Sequence, residues 1–263
     1  MPSPICLKWG YCQLAINKES GDVFATDFDR PLPVRIPPLG LFVKYGADVT
    51  VTEAATQVMV RERLCGQVPI PEVFGSTEDE NQRFIYMELL EGKTLLERWC
   101  DMSEDERLTV CHELQTMVKA WRALTPDQHD YYVEAILEHR PTLVGPFLGE
   151  NAVQQFQDTC GIVIAREEPI TFTHNDLVPL NIVLTPGPSP KIAAIIDWAQ
   201  AGWYLAYWEY CKARRVRVHS DNPRFDDAVQ EEWWAKYLPM ILNPVDDQAY
   251  YHPWLWFVLS KGF

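Results

Sequence analysis

The sequence has no run of about eighteen or more uncharged apolar residues, so no stretch of it reads as a membrane-spanning helix. Its first twenty residues, MPSPICLKWGYCQLAINKES, lack both a long apolar segment and a small-residue cleavage pattern. The expectation is therefore a soluble, cytoplasmic protein with no membrane partner. Seven cysteines are present (Cys6, Cys12, Cys65, Cys100, Cys111, Cys160, Cys211), odd in number and never spaced C-x-x-C. That argues against a disulfide framework or a structural zinc site and leaves most of them as small core residues. Basic residues are scarce: 23 Lys and Arg stand against 37 Asp and Glu, a formal charge of −14. Nucleic acid is excluded as a partner, because phosphate binding needs a basic surface, whereas a cationic small molecule would be attracted. Glycine is sparse where it might matter, since Gly10, Gly21 and Gly40 form no G-x-G pattern ahead of Lys44. No internal repeat or low-complexity linker occurs, and nothing in the sequence sets an oligomeric state.

What is present is ample core material. A chain of 263 residues, 47% hydrophobic with ten Trp, is long enough for one large or two modest domains. Residues 1–40 are broken up by proline and give no clear pattern. LFVKYG then reads as a short strand, with Leu41, Val43 and Tyr45 alternating against Phe42 and Lys44. By this pattern alone Lys44 is a solvated strand lysine. Residues 52–64 switch to a helical period through Ala54, Ala55, Val58 and Met59, with Thr52 as the cap and Glu53 complementing the dipole in the first turn. QRFIYMELLEG carries an apolar run, Phe84 to Leu90, that reads as a buried strand leaving into a connector at Gly92.

Ser103 and Glu106 form a capping box for a helix with Val110, Leu114, Met117, Trp121 and Leu124 on one face, stopped at Thr125-Pro126. Further helices are expected around 131–139 and 151–164. TFTHNDLVPLNIVL and KIAAIIDW follow as two apolar β segments ending in polar residues, joined by the tight connection TPGPSP. Beyond Asp197, AGWYLAYWEYCKARRVRV and the Trp-rich tail read as helices packed through aromatic faces. The division is a smaller, β-rich N-terminal lobe over residues 1–90 and a mainly helical lobe over 91–263.

Chemistry concentrates in His174, Asp176, Asn181 and Asp197. Phosphoryl transfer needs a carboxylate to take the acceptor hydroxyl's proton and oxygen ligands for a magnesium ion on the nucleotide phosphates. Asp176 supplies the first, and Asn181 with Asp197 the second. His174 is better suited to holding the loop by hydrogen bonds than to moving protons.

The set VKYG, EAATQVM, IYMELLEGKTL, THNDLVPLNIVL and AIIDWAQAGWY resembles the aminoglycoside phosphotransferase and choline kinase family, particularly its fungal members. The resemblance spans about residues 41 to 210. It implies an α+β, bilobal protein-kinase-like fold and an ATP-dependent, Mg2+-requiring transfer to a hydroxyl of a small molecule. It also implies roles: Lys44 on the inner phosphates, Glu53 paired with Lys44, and Met87, Glu88 and Leu90 in a hinge whose backbone meets the adenine. Asp176 becomes the catalytic base, and Asn181 and Asp197 the metal ligands. Three departures stand out: Asn175 where Gly is usual, Leu205-Ala206 where Pro-Glu is usual, and the missing glycine-rich turn. The last keeps open a kinase-like protein that no longer phosphorylates and serves as a binding protein or in a biosynthetic pathway. A metal-dependent hydrolase using His174, Asp176 and Asp197 is the third reading. The aromatic residues Trp203, Tyr204, Tyr207, Trp208, Trp233 and Trp234, with Glu209 as acidic neighbour, would suit an amine or quaternary ammonium acceptor, or serve only as core.

Overall fold

The computed structural model describes residues 14–16, 23–25, 32–47, 49–79, 82–125, 154–155, 157–158, 169–218 and 224–261. The chain separates into two compact units, Met1–Val110 with Val178–Ala199, and Cys111–Leu177 with Gln200–Phe263.

The first unit begins with a short antiparallel pair, β1 (Leu14–Ile16) and β2 (Val23–Ala25). Its main sheet contains β3 (Val34–Ile36), β4 (Leu41–Gly46), β5 (Val73–Asp79) and β6 (Gln82–Glu88), in the order β3-β4-β6-β5. A 3-10 turn at Pro37–Leu39 joins β3 to β4, and Gly40 closes it at φ 61°, a left-handed conformation that glycine adopts without strain. β4 is central, so its face buries Phe42, Val43 and also Lys44. The strand pattern had left this lysine in solvent.

Helix α1 (Val51–Arg63) follows. Thr50, not Thr52, caps it, its hydroxyl accepting the Glu53 N–H at 3.0 Å. The helix starts earlier than its apolar stripe suggests because Val51 occupies the first turn although 57% exposed. One face of α1 supplies Ala54 to the cluster of Phe42, Val49, Ile85 and Met87. Strand β5 was not legible as a strand: it is mostly exposed, Phe74 included, and among the described residues pairs only with β6.

After the connector, β7 (Lys93–Thr94) and α2 (Leu95–Arg98) form where the sequence had suggested only a link. Thr94 and Glu97 make a reciprocal capping box, the same S/T-x-x-E signal as Ser103 and Glu106. β9 (Ile182–Leu184) and β10 (Ile192–Ile195) pair antiparallel and β7 joins the far edge of β9, giving the order β10-β9-β7. Gly92 must be glycine here: its φ is 147°, and a Cβ would lie 2.3 Å from the Leu184 carbonyl oxygen.

Helix α3 (Glu104–Arg122) starts at the expected capping box, with Glu106 accepting the Ser103 N–H at 2.8 Å. Val110, Leu114, Met117 and Trp121 are buried, as their period required. From Cys111 onward the helix belongs to the second unit. That unit also holds β8 (Ile170–Thr173) and β11 (Gly202–Leu205), paired antiparallel with Thr173 opposite Gly202. GWYL is thus a strand and not the start of a helix. Its continuous apolar run carries no period, and only the pairing with β8 decides its form.

Helix α4 (Trp208–Arg215) follows directly, and further helical turns occupy Asp227–Ile241 and Asp247–Lys261. Trp208 packs on Tyr204 at 5.5 Å and edge-on to Trp254 and Phe257 at 6.0 and 5.9 Å, the aromatic packing expected of this region. The expected helix at 131–139 lies outside the described residues. Within 151–164, residues 154, 155, 157 and 158 are described and are helical. No helix among the described residues is long and apolar enough to cross a membrane.

Candidate active site

In the first unit the sheet, α1 and the end of β10 bring three charged side chains together. Lys44 Nζ donates to Glu53 Oε1 at 2.5 Å and to Asp197 Oδ1 at 3.1 Å. All three residues are buried, at 6%, 3% and 6% exposure. Burial pushes the Lys44 pKa down, but the charges of Asp197 and Glu53 and their hydrogen bonds outweigh it and hold it above the ordinary lysine value. A lysine on a strand, an acid in the first turn of the next helix and a third group 153 residues from the lysine form one cluster. Strand and helix periods could not reveal it, because they treat each charge as belonging to its own element.

Asp197 takes φ 63°, a left-handed turn immediately after β10. The buried indole of Trp198 ties that turn back to the Ile195 carbonyl at 3.1 Å. Asn181, also buried, ends the short turn before β9, and its carbonyl accepts the Ile196 N–H at 3.0 Å. This backbone bond sets Asn181 beside the strand end that carries Asp197. An amide oxygen and a carboxylate are donor types that magnesium accepts while keeping waters or phosphate oxygens as its other ligands, so the chemistry of the two buried residues fits such an ion. No three His, Cys, Asp or Glu side chains are grouped to hold a metal ion among the described residues.

The segment Met87–Leu90 leaves β6 along a narrow slot of about 40 Å³ that is also lined by Phe42, Val183 and Ile196. Its backbone is pinned on both sides: the Glu88 N–H donates to the Glu72 carbonyl and the Leu89 N–H to the Gly40 carbonyl, each at 2.8 Å. The Glu88 carboxylate turns back to accept the Glu72 N–H at 3.2 Å.

His174 and Asp176 lie in the second unit, on the loop after β8. The Asp176 N–H donates to His174 Nδ1 at 3.2 Å, so the imidazole braces the loop. Asn175 has φ 60°, a left-handed backbone that Gly takes freely and that Asn tolerates better than most other side chains. Of the two readings the sequence left open for Glu209 and its aromatic neighbours, acceptor contact or core, the structure places Glu209 in the interior. It is 1% exposed, and its Oε1 accepts the N–H groups of His174 and Asn175 at 2.8 and 3.1 Å, while Oε2 faces Arg122 at 3.5 Å. Burial pushes its pKa up despite these partners. Glu209 is an anchor for the loop and cannot serve as an exposed contact for a cationic acceptor. Tyr204, Tyr207, Trp208 and Trp233 are likewise buried as core.

A family model described as the phosphotransferase enzyme family matches residues 19–240. The chain belongs to that family. An aminoglycoside 3'-phosphotransferase of type VIII superposes on this phosphotransferase-family chain with a TM-score of 0.53 at 20% identity, covering 85% of each chain. A Ralstonia eutropha protein provisionally assigned as an aminoglycoside phosphotransferase superposes with a TM-score of 0.52 at 16% identity, covering 88% of this chain and 77% of its own. No curated protein sequence matches this one. The fold is therefore the kinase-like fold of the aminoglycoside phosphotransferases, with a β-sheet N-terminal region and a helical C-terminal part.

Proposed function

We propose that the protein is an ATP-dependent phosphotransferase acting on a hydroxyl group of a small molecule. The observation that carries this reading is the buried cluster of Lys44, Glu53 and Asp197, because an ammonium held between two carboxylates is a costly arrangement with no need in a simple core. Residues 1–90 would form the nucleotide lobe and residues 91–263 the catalytic and acceptor lobe. Lys44, oriented by Glu53, would steady the nucleotide's inner phosphates. The hinge Met87, Glu88 and Leu90 would present backbone groups to the adenine. Asn181 and Asp197 would hold Mg2+, which would supply positive charge to the phosphate oxygens. Asp176 would accept the proton of the acceptor hydroxyl as its oxygen attacks, with His174 fixing the loop that carries it.

The absence of a G-x-G pattern ahead of Lys44 favours the second reading, a kinase-like binding protein without transferase activity. One experiment separates the two. Saturating ATP with Mg2+ should raise the melting temperature, by linkage worth about 2.7 kcal/mol at a hundredfold excess over Kd. Asp197→Asn should abolish the magnesium-dependent part of the shift. Asp176→Asn should keep the shift and stop ADP release in the presence of an accepted hydroxyl compound. Absence of any ATP shift, or full turnover by Asp176→Asn, overturns the proposal.

A further inference from the structure

The second unit holds a cleft of about 440 Å³ that the phosphotransferase reading does not use. Three arginines, Arg214, Arg215 and Arg217, line it together with the rings of Tyr210, Trp234 and Tyr251. In a chain of formal charge −14 such a concentration of guanidinium groups runs against the average surface.

Two of the three are already matched. Arg214 binds Asp247 through both nitrogens, at 2.5 and 3.2 Å, and lies 4.3 Å over the Tyr251 ring. Arg217 is shared between Asp227 at 3.0 Å and Glu231 at 3.3 Å, and sits 5.3 Å from the Trp234 ring centre. Arg215 differs. Among the described residues no carboxylate pairs with it, and its buried Nε has no hydrogen-bond partner. A guanidinium is always charged and presents five donors in a planar fork, so leaving it unmatched beside a cleft is unfavourable unless something else fills the role.

The charges in the cleft also define what would fill it. Glu231 and Asp247 line it alongside the arginines and, with Asp227, are taken up by Arg217 and Arg214, which leaves Arg215 as the guanidinium of the three with no carboxylate on it among the described residues. A phosphate dianion would meet those carboxylates as well as Arg215, whereas a single carboxylate matches the one open fork. The ring walls offer apolar surface for the remainder of the molecule. Arg215 stands six residues beyond Glu209 on α4, about 9 Å along the helix axis, so the cleft is separate from the anchor that holds the His174–Asp176 loop.

We propose that this cleft is a binding site for a small organic monocarboxylate, its carboxylate docked on Arg215 and its apolar or ring-bearing body against Trp234 and Tyr251. The assignment does not rest on phosphoryl transfer and is tested without nucleotide. Isothermal titration calorimetry of the full chain with benzoate, 3-phenylpropionate, indole-3-acetate and octanoate, each beside its primary amide, is the measurement. At least one acid should bind the wild-type protein with a Kd of about 1 mM or below, its amide about tenfold or more weakly. Arg215→Gln should weaken the acid to the level of the amide, and Arg215→Lys, which keeps the charge but loses the fork, should fall between. The acid–amide contrast on wild-type protein decides the matter even if Arg215→Gln fails to fold. Failure of every acid to bind up to about 10 mM, equal binding of an acid and its amide, or unchanged acid binding by folded Arg215→Gln each overturns the assignment.

Discussion

Replacing Glu209 by alanine should loosen the loop that carries Asp176 while sparing the rest of the fold. The carboxylate is 1% exposed and accepts two backbone N–H groups, from His174 and Asn175, on one oxygen while facing Arg122 with the other. Truncation leaves those two buried donors unpaired, at about 1–3 kcal/mol each, and strands the partly buried Arg122 charge. Breaking a buried pair by removing one member costs about 3–5 kcal/mol, and we expect the variant to lose an amount in that range. For a chain of this length that is roughly a 10 °C drop in melting temperature. Glu209→Gln keeps an oxygen for the two N–H groups and should lose much less. The pH dependence carries a sign. Because burial raises the folded-state pKa above 4.5, the protonated carboxyl group's contribution is whole below pH 4.5 and is lost as pH rises through the folded value and the group ionises. The gap between wild type and Glu209→Gln should therefore narrow as pH increases across that window. Thermal and urea melts followed by circular dichroism, with ADP release measured in parallel, provide the check. A Glu209→Ala protein that melts within about 2 °C of wild type would refute the assignment of the anchor.

Two further outcomes are expected. Gly92→Ala should destabilise by about 2–4 kcal/mol in urea titrations, since it combines a backbone at φ 147° with a Cβ driven against the Leu184 carbonyl. Lys44→Met should cost about 3–5 kcal/mol near neutral pH by leaving Glu53 and Asp197 without their cation. The folded Lys44 pKa lies above 10.5, so its stabilisation is whole below pH 10.5 and fades as pH climbs through the folded value. The melting temperatures of wild type and Lys44→Met should accordingly run in parallel from about pH 8 to 10 and converge above that.

What could be read from the sequence was whatever one element decides for itself. β4, β6, α1 and α3 follow from apolar spacing and turn residues, and the capping box at Ser103 sits where its pattern put it. What escaped was decided by partners distant in the chain. β11 is a strand because β8 pairs with it, and β5 is a strand because β6 does. Lys44 is buried because carboxylates from α1 and from the end of β10 meet it. Glu209, which the sequence left open between acceptor contact and core, looks inward because two loop amides need an acceptor. Among the charged residues of the site, only the resemblance to a known family brought Lys44 and Glu53 forward.

The left-handed turns at Asn175 and Asp197 have a bearing on how relatives should be compared. Such a turn favours Gly, Asn and Asp over most other residues, so a descendant without the proposed activity could still retain one of them at either place for the sake of its main chain. Lys44 and Asn181 are under no such backbone constraint. Under the roles proposed above, drift at those two would be the earlier sign that a lineage has given up the reaction.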